Sequence, residues 1–252
     1  MKQKAGKILP LILIIIATAV IVTVIHYNYS PLPLPEDFTI TAHSGSEGTP
    51  DNSMEFIEKS LGFNVPVIEI DVTFRQDGTP VMLHKDAAGD GEGVLLEEAF
   101  KYISENSDSL RVNLDLKSTA NLPEVVRIVD SYGMRERCFY TGVKENFLEA
   151  VRKDGELPYY LNTSISSWRK TSAKELERVM EKVRQSGAMG INCNLKYASK
   201  QMVELFRENG LLVSYWTANN KKAMIKLLYF APDNITTRNP LQLNEIKDNM
   251  YR

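Results

Sequence analysis

From Phe38 onward the chain alternates short apolar runs with amphipathic stretches, and this alternation limits the fold more than any other feature. The runs lie at 38–43, 67–72, 111–117, 138–143, 157–162, 189–194, 211–217 and 233–237, and each reads as a strand. Helical patterns are expected between them near 52–61, 96–105, 123–132, 144–153, 173–186, 199–209 and 220–229, with one more after Pro240. Pro123 sits early in its helix, and Gly133 and Gly210 stand just past helix ends, where each residue type favours that punctuation. Eight strands alternating with eight helices predict a closed parallel (β/α)8 barrel, and 252 residues suffice for one such domain.

One apolar run breaks the rhythm. Pro80–His84 begins only eight residues after Val72, too soon for a parallel crossover, and Asp77-Gly78 between them is a hairpin turn signal. Residues 73–84 are therefore expected to fold back beside strand 67–72, bringing His84 near Glu69 and Asp71.

The first residues obey a different logic. Lys2, Lys4 and Lys7 precede an uncharged run from Ile8 to Ile25, long enough to cross the hydrocarbon of a bilayer. Lysines before the run and none just after it predict residues 1–7 as a cytoplasmic tail and 8–25 as a single transmembrane signal-anchor. Residues 26–37, with Ser30-Pro31-Leu32-Pro33-Leu34-Pro35 at their centre, read as a stiff Pro-rich linker to a barrel over 38–252. The expected location is the cell membrane, single-pass, with the catalytic domain extracytoplasmic. The formal net charge of -2 offers no basic stripe, so nucleic acid is not an expected partner. Cys138 and Cys193 fall in strand segments without a Cys-x-x-Cys pair and read as small buried hydrophobes.

In a barrel of this kind the chemistry sits at the C-terminal ends of the strands. That rule places His43, the pair Glu69/Asp71 and the pair Asp115/Lys117 at three neighbouring strand ends, with His84 on the adjoining arm. Glu69 and Asp71 are two apart on a strand and share a face, as do Asp115 and Lys117. Three carboxylates from two neighbouring strands make a hard oxygen site suited to Ca²⁺ or Mg²⁺. Two histidines beside it suit general acid/base work on a phosphodiester, with Lys117 offsetting charge on the phosphoryl oxygens. Asn162, Asn192 and Asn194, also at strand ends, are either polar pocket linings or strand terminators.

These residues resemble the glycerophosphodiester phosphodiesterase family. Ala42-His43-Ser44-Gly45 with Thr49-Pro50-Asp51-Asn52-Ser53 looks like its opening His-Arg-Gly … Pro-Glu-Asn-Thr motif. Ile68-Glu69-Ile70-Asp71-Val72, then Asp77-Gly78, Pro80-Val81 and His84, is similar to its second block, and Asn113–Lys117 to its Leu-Glu-Ile-Lys strand. Trp216-Thr217-Ala218-Asn219 and the run 233–240 resemble its closing motifs. The resemblance spans roughly 38–245 in the family's order. It implies a TIM barrel in which Glu69, Asp71 and Asp115 hold a divalent cation, His43 and His84 are the acid/base pair, Lys117 contacts phosphate and Trp216 lines the pocket. The implied reaction cleaves a small or lipid-derived glycerophosphodiester into glycerol 3-phosphate and an alcohol.

The departures from the family pattern are specific. Ser44 stands where the family has a phosphate-binding arginine, Asp51 and Asp115 are one methylene shorter than the usual glutamates, and Lys85 follows His84 where aspartate is usual. Ser44 and Lys85 are thus expected at the substrate, with Lys85 partly replacing the arginine. The short, Gly-rich passage from His84 to Leu95 predicts an open site suited to bulky substrates. Two rival functions share this sequence: a binding module that has lost hydrolysis with the arginine, and a phospholipase working by internal attack. A cyclic phosphate as final product distinguishes the second.

Overall fold

The computed structural model describes residues 12–22 and 30–251. It divides into two units, Met1–Pro33 and Leu34–Arg252. In the first unit, residues 12–22 form a helix whose apolar side chains are exposed. No helix among the described residues is long and apolar enough to cross a membrane, and the expected span over 8–25 lies partly outside them.

In the second unit eight parallel strands close into a barrel: β1 (Thr39–Ala42), β2 (Val67–Phe74), β5 (Arg111–Leu116), β6 (Cys138–Val143), β7 (Tyr159–Asn162), β8 (Gly190–Asn194), β9 (Leu212–Trp216) and β10 (Asn234–Thr237). Closure comes from β1, which pairs with β10 over four residues and with β2 through Thr41–Val67 and Ala42–Ile68. The remaining two strands, β3 (Pro80–Met82) and β4 (Val94–Leu95), form an antiparallel arm on β2. Val72 pairs with Met82 across a turn in which the Arg75 amide donates to the Thr79 carbonyl at 2.9 Å. The hairpin expected at Asp77-Gly78 is therefore present, and it carries β2 two residues past the predicted strand end at Val72.

Alternation along the strands sorts the residues into two sets. Ile68, Ile70 and Val72 on β2, and Val112, Leu114 and Leu116 on β5, are fully or almost fully buried beneath the surrounding helices. The opposite set faces the lumen. At its floor Val67, Phe139 and Tyr160 pack together, the two rings meeting edge to face with centroids 5.7 Å apart. Above them the layer is polar: Thr41 donates to Asn234 at 2.7 Å, and Asn234 donates in turn to Ser214 at 2.9 Å. These small polar side chains satisfy one another and leave room for charged groups at the top of the strands.

Both cysteines are buried and free, and burial pushes the Cys138 thiol up to about 12. The helix expected over 144–153 is broken into a tight turn at Glu145–Phe147, one α turn at Leu148–Ala150 and a wide turn at Val151–Gly155. The buried Tyr140 hydroxyl donates to the Gly155 carbonyl at 3.1 Å, drawing that carbonyl inward.

Gly142 marks a register irregularity between β6 and β7. Its φ is +72°, and a Cβ there would lie 2.4 Å from the Leu116 carbonyl oxygen and 2.7 Å from the Leu116 nitrogen. A side chain is thus excluded both by backbone conformation and by the neighbouring strand. Gly142→Ala is expected to lower stability by at least about 2 kcal/mol, read from the midpoint of denaturant unfolding; a loss below roughly 0.5 kcal/mol would show that β5 yields there.

Candidate active site

The C-terminal ends of β1, β2, β5 and β9 enclose a cavity of about 370 Å³, walled by His43, Glu69, Asp115, Lys117 and Trp216, with His84 and Lys85 on the arm beside it. Glu69, Asp71 and Asp115 offer carboxylate oxygens that all lie within 4.8 Å of one another. The register explains the meeting: Glu69 pairs with Asn113 and Asp71 with Asp115, so lumen-facing positions of two adjacent strands lie level. Lys117, one residue past β5, places its ammonium 2.7 Å from Asp71 Oδ1 and in a short ion pair with Asp115 Oδ2. The Lys117 backbone nitrogen donates to the Val72 carbonyl at 2.9 Å, which holds it against β2.

Each carboxylate is held differently. Asp71 accepts from the Asn52 amide at 2.7 Å, and the Asp71 backbone nitrogen donates to Asn52 Oδ1 at 2.9 Å, so a single asparagine grips both ends of the residue. Asp115 Oδ1 accepts from the Thr141 hydroxyl on β6 at 2.7 Å. Burial alone would raise the Asp71 carboxyl, but the Lys117 charge and the Asn52 hydrogen bond outweigh it and hold it below its ordinary value. For Glu69 the charges of Lys117 and Arg238 give too little relief. Burial, with the charges of Asp115 and Asp71 added, pushes it well above the usual carboxylate range. For Lys117, burial works against the ammonium, but the two aspartates more than offset it and its pKa is raised.

The donor set fits a hard divalent cation. One ammonium faces three carboxylates, an excess of acid groups in a buried pocket that a cation would relieve, and all three groups offer oxygen.

The histidines come from different elements, His43 from the end of β1 and His84 from the arm on β2. His43 Nδ1 contacts the Ser44 carbonyl at 2.8 Å and Nε2 lies 3.8 Å from Glu69 Oε1. A carbonyl only accepts, so Nδ1 carries the proton and Nε2 of the neutral ring keeps its lone pair toward the cavity. Burial favours the neutral ring and lowers the pKa of His43, an effect that the Ser44 bond only partly counters. His84 donates from Nδ1 to Asp71 Oδ2 at 3.0 Å while its side chain is 70% exposed.

Ser44, expected at the substrate, is placed elsewhere. It is fully buried, off the cavity wall, and its hydroxyl accepts from the Asn52 backbone nitrogen at 2.6 Å. The side chain is too short to reach past its own backbone, and it folds the loop so that Asn52 meets Asp71. Lys85 does line the cavity, where its ammonium forms a short ion pair with Glu92.

Three contributors were not among the expected site residues. Asn52 and Thr141 orient carboxylates from other segments of the chain. Arg238, just past β10, makes a two-pronged ion pair with Asp51 at 2.6 and 3.0 Å, and its positive charge reaches His43, Glu69 and Asp71. The motif around Asp51 hinted at Asn52; only the closure of β1 on β10 brings Arg238 to it.

Residues 94–242 match the glycerophosphoryl diester phosphodiesterase family. A glycerophosphodiester phosphodiesterase of Caldanaerobacter subterraneus subsp. tengcongensis is 19% identical over 232 residues, covering 80% of this chain and 94% of its own. Among solved structures, a Silicibacter pomeroyi protein assigned to the glycerophosphoryl diester phosphodiesterases superposes with a TM-score of 0.71 at 17% identity, over 88% of this chain and 96% of that one. An Oleispira antarctica phosphodiesterase, solved with the product sn-glycerol-3-phosphate, gives 0.67 at 19% identity over 88% and 98%. The chain belongs to the glycerophosphoryl diester phosphodiesterase family.

Proposed function

We propose that the barrel hydrolyses glycerophosphodiesters to glycerol 3-phosphate and an alcohol, with Glu69, Asp71 and Asp115 holding one divalent cation, Ca²⁺ or Mg²⁺. The observation that carries this reading is the meeting of three carboxylates, one lysine and two histidines at the rim of one cavity. The cation, when bound, supplies Lewis-acid polarisation of a phosphoryl oxygen. Lys117 holds the phosphate by charge and stabilises negative charge developing on its oxygens. The free lone pair of His43 Nε2 takes a proton from the attacking water as its oxygen bonds to phosphorus. His84, pinned to Asp71 through Nδ1 and open to solvent, delivers a proton to the departing alcohol as its bond to phosphorus breaks. Trp216 forms the opposite wall, and Lys85 adds positive charge at the mouth. The Oleispira antarctica protein, with sn-glycerol-3-phosphate bound in the same fold, supports this choice of product.

The decisive assay is release of glycerol 3-phosphate from a panel of glycerophosphodiesters by the full chain in detergent, with EDTA and with Ca²⁺ or Mg²⁺ restored. Turnover is expected only with metal. His43→Ala is expected to lower kcat/KM by about 100-fold or more. Metal-independent turnover, or full activity in His43→Ala, would overturn the assignment.

Asn52 gives a test that does not depend on turnover. Asn52→Gly keeps the positive φ of 52° accessible and removes both bonds to Asp71. Metal affinity measured by calorimetry is expected to fall by about 10-fold to 100-fold, the usual effect of losing a group that orients a ligand. An unchanged affinity would show that Asp71 needs no such support.

We place the protein at the cell membrane, anchored by residues 8–25 with the barrel outside the cytoplasm. Lys2, Lys4 and Lys7 ahead of the uncharged run support this. The chain is expected to stay with membranes through alkaline carbonate washing, and its barrel to be digested by protease added to intact spheroplasts. Release by carbonate, or protection from protease, would contradict the anchor or its orientation respectively.

A further inference from the structure

Beyond the carboxylates the cavity does not end. A second hollow of about 570 Å³ continues it past the ends of β6, β7 and β8, and the two share Lys144, Asn162, Asn192 and Trp216 in their walls. The lining of this extension is unlike that of the first cavity. It contains four side-chain amides, Asn146, Asn162, Asn192 and Asn194, and the hydroxyls of Thr163, Ser164 and Tyr197. Its one carboxylate, Glu145, is already occupied by a short ion pair with Lys182.

Two groups there lack partners among the described residues. Asn192 is 5% exposed, its amide nitrogen donates to Asn162 Oδ1 at 3.0 Å, and its own Oδ1 is buried with no donor. Trp216 Nε1 is likewise buried with no acceptor. A buried acceptor and a buried donor without partners are costly unless a ligand completes them. A hydroxyl group, which both donates and accepts, can serve either.

The charge in the extension has one sign. Lys144 and Lys196 make no ion pair among the described residues, and each extends over an aromatic ring, Lys144 over Phe147 at 5.8 Å and Lys196 over Tyr197 at 4.8 Å. Both side chains are exposed. With the only carboxylate neutralised, the hollow repels an ammonium-bearing alcohol and attracts an anionic one.

Resting on the phosphodiesterase reading above, we infer that this extension is a subsite for the part of the diester that reaches past the carboxylates, and that it takes a hydroxyl-rich alcohol carrying a further phosphate. A polyol-phosphate chain has this chemistry; choline and ethanolamine esters do not. The side-chain amides hold hydroxyls, and Lys144 and Lys196 hold the second phosphate.

The experiment compares kcat/KM for three diesters on the full chain in detergent with metal present: glycerophosphocholine, glycerophosphoglycerol, and three glycerols joined by two phosphodiesters. The last is expected to exceed glycerophosphocholine by about tenfold or more at low salt, with glycerophosphoglycerol between them, and the gap should narrow as salt is raised. In the double variant Lys144→Gln/Lys196→Gln the ratio of the three-glycerol diester to glycerophosphocholine should collapse to within about threefold. Both lysines are exposed, so the fold is expected to survive, with the melting temperature as control. A wild-type ratio near one, or a ratio the double variant leaves intact, overturns the subsite. The same ranking is read as binding to the His43→Ala variant by calorimetry. If no diester is turned over, the hydrolase reading fails, and the binding ranking still decides the subsite on its own.

Discussion

The site is organised around an unbalanced charge. Lys117 inserts one ammonium between Asp71 and Asp115, while for the third carboxylate, Glu69, burial and the two aspartates outweigh the positive charges that reach it. In a barrel whose lumen is otherwise apolar at its floor and lined by small neutral hydrogen-bonding groups above, burial and charge are here in open conflict. Much of the surrounding structure addresses that conflict: Asn52 and Thr141 donate to the carboxylates, Arg238 contributes positive potential from beyond β10, and the cavity keeps the cluster open to a cation.

The division of labour proposed for the histidines rests on what each one touches. His43 is locked through Nδ1 to a carbonyl and packed into the wall, which suits a proton acceptor that must not be protonated at rest. His84 is carried on the arm, one side fixed to Asp71 and the other in solvent, which suits a donor that must be recharged each cycle. In that proposal the surroundings separate the roles without any difference in residue type.

How much of this was legible depended on whether the signal was local. All eight barrel strands stand where the apolar runs fall, because each must be buried on both faces and cannot hide its composition. The arm was legible from Asp77-Gly78, and with it the approach of His84 to Asp71. The short β4 that completes the arm was not, since two residues carry no pattern. Nor was the fracture of the helix over 144–153, which depends on Tyr140 pressing against Gly155 from another element. The candidate cluster of Glu69, Asp71, Asp115 and Lys117 was readable from spacing alone; Asn52, Thr141 and Arg238 were not, because their partners are distant in sequence and their residue types are common. Ser44 misled because its position was compared with a family motif, whereas its length decides that it bonds to its own loop.

The seam between β1 and β2 is short, with two registered pairs where β2 and β5 have six. Across it runs a second fastening, from Ser44 to Asn52 and from Asn52 to both ends of Asp71. The loop that presents His43 is thus also a clasp on the barrel's closure. Opening the seam would also release Asp71, so a cation held as proposed by Asp71, Glu69 and Asp115 would act as a rivet for the barrel.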